Sequence, residues 1–228
     1  MKTKTKLIVG IAIAVIIGLF AYNKMNAEEL SGNFSLGYNS DLSFRGTPNG
    51  TAATQASVGL GGEVLGFDVT ANALTNLQHN EGDNEVRLSA EVALEVVENF
   101  STGLGIVAYD NNSLLGDQTE IYVDIGSGFV LNPSVRVYYN AAETDITVEG
   151  SVSHALKLSE LLALEAVAQV GNTPIGEERA TYYGVDLVGN YSLGPKATLF
   201  AGVDLVDLKD INIEAPDVGF YGGFTYTF

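Results

Sequence analysis

The residues able to do chemistry in this 228-residue chain are mostly carboxylates: 28 Asp and Glu stand against 11 Lys and Arg, with two His and no Cys. Covalent catalysis needs a nucleophile and a base within hydrogen-bond reach. The one adjacent pair of that sort is Ser153 and His154. They lie in a period-2 stretch, where neighbours point to opposite faces, so the pair does not meet. His79 stands alone in a polar connection. The chain has no Gly-x-Ser-x-Gly, no His/Cys metal spacing and no phosphate loop, so the expectation is a protein that is not an enzyme, with no cofactor and no metal. Acidic, Asn-rich stretches at 80–84, 110–112, 177–178 and 207–210 carry oxygen ligands of the kind that hold Ca²⁺, but none has the ordered spacing of an EF-hand loop. Solvated surface is their simpler reading.

The carboxylates are distributed along alternating segments. Between 84 and 97, Val86, Leu88, Ala90, Val92, Leu94 and Val96 alternate with Glu85, Arg87, Ser89, Glu91, Ala93 and Glu95. Such alternation marks strands with one apolar and one polar face. Segments of this kind cover about 32–45, 52–64, 66–76, 84–97, 100–109, 118–131, 134–140, 144–156, 161–171, 181–193, 197–206 and 217–228, a total of twelve. The five prolines, 48, 133, 174, 195 and 216, fall between them, where a missing donor does no harm. Connections at 65–66, 98–99, 132–133, 157–160 and 194–196 are short. Those at 46–50, 77–83, 110–117, 172–180 and 207–216 are longer, with 141–143 the exception. The alternation of short turns and long loops is that of a barrel crossing the outer membrane.

At the start, Lys2, Lys4 and Lys6 precede an apolar run over 7–22 and small or polar residues up to Ala27. This is the layout of a secretory signal peptide, 1–27, cleaved after Ala27, the alternative being an uncleaved anchor. Residues 28–228 are then the barrel domain. Four of the lysines and no acids lie in the leader, so the mature chain carries 7 − 28 = −21 charges. That excludes nucleic acid as a partner, since phosphate binding needs a basic stripe. No apolar run in the mature part is long enough for a membrane helix. A bilayer can otherwise be crossed only by a closed barrel, because every backbone donor and acceptor must be paired.

The last strand, 217–228, puts Val218, Phe220, Gly222, Phe224, Tyr226 and Phe228 on one face. Its end, Gly223, then the aromatic Tyr226, then Phe228, resembles the C-terminal assembly signal of bacterial outer-membrane β-barrels. The resemblance implies recognition by the outer-membrane assembly machinery. The stretch around Ser40, Asp41, Phe44, Arg45 and Gly46 is similar to the opening of the TorF-type porins, with Leu42 where an aromatic is usual. That resemblance implies an outer-membrane pore and no particular substrate.

The fold expected is therefore all-β, a transmembrane antiparallel up-and-down barrel of about twelve strands in outer-membrane lipid. Alternation assigns Asp41, Arg45, Arg87, Glu91, Glu95, Tyr122, Asp124, Arg136, Tyr138, Glu149, Glu165, Asp186 and Asp204 to the lumen. Acids outnumber arginines there, and a low-dielectric wall focuses their field. The function expected is a passive channel for small hydrophilic solutes with a weak preference for cations. The alternative is a pore-less surface barrel, an adhesin, receptor or structural element, with Tyr122, Tyr138 and Tyr182 occluding the lumen.

Overall fold

The computed structural model describes residues 31–228 except 41, 46, 51, 65, 80–83, 113–115, 176–177 and 210–216. The leader, 1–27, lies outside the described residues, as does Asp41. Fourteen strands follow in order: β1 (Ser31–Asn39), β2 (Leu42–Phe44), β3 (Thr47–Gly50), β4 (Ala53–Val64), β5 (Phe67–Gln78), β6 (Glu85–Val97), β7 (Phe100–Asn112), β8 (Gly116–Ser127), β9 (Ser134–Asn140), β10 (Asp145–Lys157), β11 (Leu162–Ile175), β12 (Glu178–Gly194), β13 (Ala197–Lys209) and β14 (Asp217–Thr227). Twelve of them, β1 and β4 to β14, form one closed antiparallel barrel, each pairing with its neighbours in the chain. Closure is made by β1 on β14, in register from Asn33 opposite Thr227 to Asn39 opposite Tyr221. The barrel thus has no free edge, the condition for placing strands in lipid. No helix of the described residues is long and apolar enough to cross a membrane, which says nothing about strands.

The two faces are what the alternation requires. Leu36, Val58, Leu104, Ile121, Ile125, Val137, Val185, Leu199 and Phe220 stand exposed on the outward face. In water so much exposed aliphatic surface would associate, while in lipid it is the solvent-matched face. Outward Tyr38, Tyr139 and Tyr183 stand near the end of the barrel with the long connections, the loop end. Phe34, Phe100, Tyr191 and Tyr226 stand near the opposite, turn end. These are aromatic rows of the kind that sit at the two membrane interfaces. At the turn end the chain reverses in two residues at 98–99, and Gly66 (φ 81°) and Asn99 (φ 66°) take the left-handed backbone that tight turns need.

Three details differ from the sequence reading. The first segment does not run to residue 45. β1 ends at Asn39, and residues 42–50 make a separate two-stranded hairpin, β2–β3, with Arg45 (φ 49°) at its turn. Strands at the loop end also continue past the apolar alternation. β11 and β12 stay paired up to Ile175 opposite Glu178, so most of the 172–180 connection is ladder. Polar residues end the apolar outward pattern, but they do not end the hydrogen bonding. Finally, Pro174 lies inside β11 and Pro48 inside β3. β10 pairs with β11 only as far as Asn172, so Pro174 has no ladder partner on that side to disappoint.

Candidate functional site

The inward face of the barrel carries the candidate site, and the first loop reaches into it. The Arg45 guanidinium makes two hydrogen bonds to the Glu120 carboxylate of β8, Nη1 to Oε1 at 2.9 Å and Nη2 to Oε2 at 2.7 Å. The two side chains are only 4% and 3% exposed. Arg45 also lies over the Tyr138 ring of β9, 4.4 Å from its centroid, and reaches Thr147 Oγ1 of β10 at 3.5 Å. The Tyr109 hydroxyl of β7 donates to Glu120 Oε2 at 3.3 Å. A planar fork on a carboxylate is a strong, oriented pairing, and burial keeps it from being screened. Arg45 therefore belongs to the interior, but it comes from a loop hairpin and not from the wall.

Beneath it, Arg136 of β9 pairs with Asp124 of β8 at 3.3 Å and faces Glu91 of β6 at 3.8 Å. Its guanidinium sits 4.7 Å above the Tyr122 ring, and the Tyr122 hydroxyl donates to Glu91 at 2.7 Å. Arg87 pairs with Glu85 at 3.2 Å; Glu85 is buried and also accepts from Asn76 at 3.0 Å. The arginines of the interior thus stand in the sector from β6 to β9, each beside acids. Around the rest of the wall the acids have another company. Among the described residues Glu149, Glu165 and Asp186 have no ion-pair partner. Glu149 accepts from the Tyr182 hydroxyl at 2.5 Å and Asp186 from the Tyr221 hydroxyl at 2.5 Å. Asp186 and Asp204 are directly opposite on β12 and β13, both inward. Like charges so placed repel across the ladder.

The arrangement divides the interior. One sector, over β7 to β10, is filled by Arg45, Tyr109, Glu120 and Tyr138. The other holds a cavity of about 420 Å³, bounded by Gln55 of β4, Leu74 and Asn76 of β5, Glu85 and Arg87 of β6, and, across from them, Gln169, Asp186, Asp204, Val206 and Tyr221 of β11 to β14. β6 and β12 are six places apart in the closed ring of twelve, so Arg87 and Asp186 view the cavity from opposite walls.

Of the residues picked out from sequence, Arg45, Tyr138, Arg87, Glu91, Tyr122, Asp124 and Arg136 come together in or beside the filled sector. Glu165, Asp186 and Asp204 face inward on β11 to β13, and Glu149 of β10 faces inward directly opposite Arg136 of β9. Glu95 stands apart at the turn end, where it accepts the Asn99 backbone N–H at 3.1 Å. Sequence reading passed over Tyr109, Thr147, Phe200 and Tyr221. Tyr221 shares its face with Gly223 and Thr225, a signal that was available; the part each plays needs the register between strands. Ser153 faces inward, while His154, outward, has Nδ1 2.9 Å from the Val130 carbonyl oxygen.

The C-terminal glycine has a structural role. Gly223 lies between Gly37 of β1 and Phe200 of β13 at the closing seam. A Cβ there would stand 2.6 Å from Gly37 Cα and 2.7 Å from Phe200 Cζ, with the Leu36 carbonyl oxygen nearer still. Phe200 thus crosses the seam over two glycines. Past Tyr226, the chain ends by exchanging backbone hydrogen bonds between Phe228 and Gly32, 3.0 and 2.9 Å.

No family model matches the chain, and no curated protein matches it in sequence. Solved structures do share the fold. The COG4313 outer membrane channel from Pseudomonas putida F1 superposes with a TM-score of 0.58 at 8% identity, over 89% of this chain and 97% of that one. The KdgM porin gives 0.56 at 11% identity, over 86% and 99%. The NanC porin gives 0.54 at 14% identity, over 87% and 99%. At these identities the likeness is one of fold: a barrel of outer-membrane type spanning nearly the whole of each.

Proposed function

We propose that the chain is an outer-membrane channel for passive diffusion of small hydrophilic solutes, with a weak preference for cations. The observation that carries the reading is the cavity between β4–β6 and β11–β14 with Asp186 and Asp204 on its wall, inside a closed barrel whose outer face is apolar. Passage needs no reacting group. It needs a water-filled path and a field. Carboxylates on a low-dielectric wall concentrate cations and repel anions. Arg45, Arg87 and Arg136 each stand beside acids in the β6–β9 sector, while Asp186 across the cavity has no ion-pair partner among the described residues. The barrel superposes on proteins whose names describe porins and an outer-membrane channel, which agrees with this reading and names no solute. Assembly through the strand ending Gly223, Tyr226 and Phe228 belongs to the same proposal.

The buried Arg45 side chain favours a second reading, a barrel that Arg45 keeps shut and that serves as a surface element. Planar-bilayer recording of the refolded chain separates the two. Discrete current steps from the unaltered protein support the channel. Silence from it, with steps appearing in Arg45→Ala, would establish the shut barrel instead.

A further inference from the structure

Three tyrosines of the interior lie along the wall rather than into the space it encloses, and each does so over a glycine. Tyr122 stands directly opposite Gly105, Tyr182 opposite Gly171 and Tyr221 opposite Gly202. In each case a Cβ built on the glycine would come closer than 3.0 Å to the ring's tip. The ring therefore crosses the neighbouring strand where only a hydrogen stands. Its hydroxyl then donates to a carboxylate one strand further on: Glu91 at 2.7 Å, Glu149 at 2.5 Å and Asp186 at 2.5 Å. In the first two the three groups form a single cross-strand row, Glu91–Gly105–Tyr122 and Glu149–Gly171–Tyr182. In the third, Gly202 is opposite Val188, and Asp186 is the next inward residue along β12. All three rings lean the same way around the barrel, toward the strand earlier in the chain.

We infer that Gly105, Gly171 and Gly202 set the bore of the channel: each recess lets a tyrosine lie flat on the wall, where its hydroxyl holds a carboxylate. The inference rests on the channel reading and adds the residues that decide how wide the path is. Gly202 matters most, because Tyr221 lines the cavity itself. An added methyl has the ring tip as its obstacle, and a ring tip can swing where a backbone cannot. The way out of the wall is into the cavity, and the freed hydroxyl leaves Asp186 behind.

The test uses the full mature barrel as Gly202→Ala, Tyr221→Ala and the double variant, with folding read from heat-modified mobility. Unitary conductance of Gly202→Ala should fall by about half, as when a side chain enters a constriction of its own dimensions. The double variant should recover at least the parent value. The methyl also meets the Leu187 carbonyl oxygen at 2.8 Å, a squeeze common to the single and double variants. A double variant as poor as the single would therefore assign the loss to the backbone and overturn the inference. A second measurement does not depend on conduction: nitration of Tyr221 by tetranitromethane, followed by peptide mass, should speed up in Gly202→Ala. If the parent conducts nothing, the channel reading fails while the nitration rate still decides where the ring lies; an unchanged rate overturns the inference in either case. Should Gly202→Ala not fold, Gly171→Ala with Tyr182 replaces it, since there the nearest atoms all belong to the tyrosine.

Discussion

Replacing Arg45 by Ala should unlatch the first-loop hairpin from the barrel interior. The side chain contributes both charge-assisted hydrogen bonds to Glu120, at 2.9 and 2.7 Å, and a cation–π contact with Tyr138 at 4.4 Å. Truncation leaves Glu120 with the Tyr109 hydroxyl at 3.3 Å and little solvent. Removing one partner of a buried, hydrogen-bonded ion pair costs about 3–5 kcal/mol, most of it the stranded charge. At about 1.4 kcal/mol per tenfold, that shifts the ratio of latched to unlatched hairpin by roughly two to four orders of magnitude. The variant should show larger or more frequently fluctuating unitary currents and a lower unfolding temperature by heat-modified gel mobility. The double replacement Arg45→Met with Glu120→Leu should be more stable than Arg45→Ala, because no charge is left buried without its partner. Currents and unfolding temperature both equal to the parent's would refute the latch.

Other perturbations probe separate parts of the barrel. Gly223→Val puts a branched side chain between Phe200 and the Gly37 backbone, overpacking that costs about 1–3 kcal/mol and should lower the temperature at which the seam opens in detergent. Asp186→Asn with Asp204→Asn removes the like-charge cross-strand pair; stability should hold or rise by a few tenths of a kcal/mol while the K⁺ over Cl⁻ permeability ratio falls. Arg136→Gln strips Asp124 and Glu91 of their cation, so that ratio should rise instead, read from reversal potentials in the same salt gradient. Deletion of Phe228 removes the paired backbone bonds to Gly32 and should slow assembly into lipid vesicles, measured as the rate at which the heat-modifiable form appears.

The barrel itself was legible because a strand with one apolar and one polar face repeats every two residues. Twelve alternating segments in sequence became twelve barrel strands, and the inward set, from Arg87 to Asp204, follows from parity alone. Three features were hidden, each for a physical reason. Leu42 and Phe44 prolong the alternation of β1, so its end at Asn39 does not show in the sequence, nor does the pairing of β2 with β3 as a separate hairpin. At the loop end Thr173 and Ile175 of β11 pair with Ala180 and Glu178 in strands that no longer face an apolar phase, so composition reads them as loop. The Gly–Tyr pairs depend on register: Gly171 and Tyr182 are eleven residues apart in the numbering, and nothing but the ladder makes them neighbours. The same holds for Arg45 and Glu120, which a list of charges cannot join.

The most direct measurement is the reversal potential of the refolded, unaltered chain in a planar bilayer separating two KCl concentrations. An open path beside Asp186 and Asp204 predicts discrete steps with a reversal potential displaced toward that of K⁺. Steps reversing toward Cl⁻, or a folded barrel that carries no current, would contradict the account.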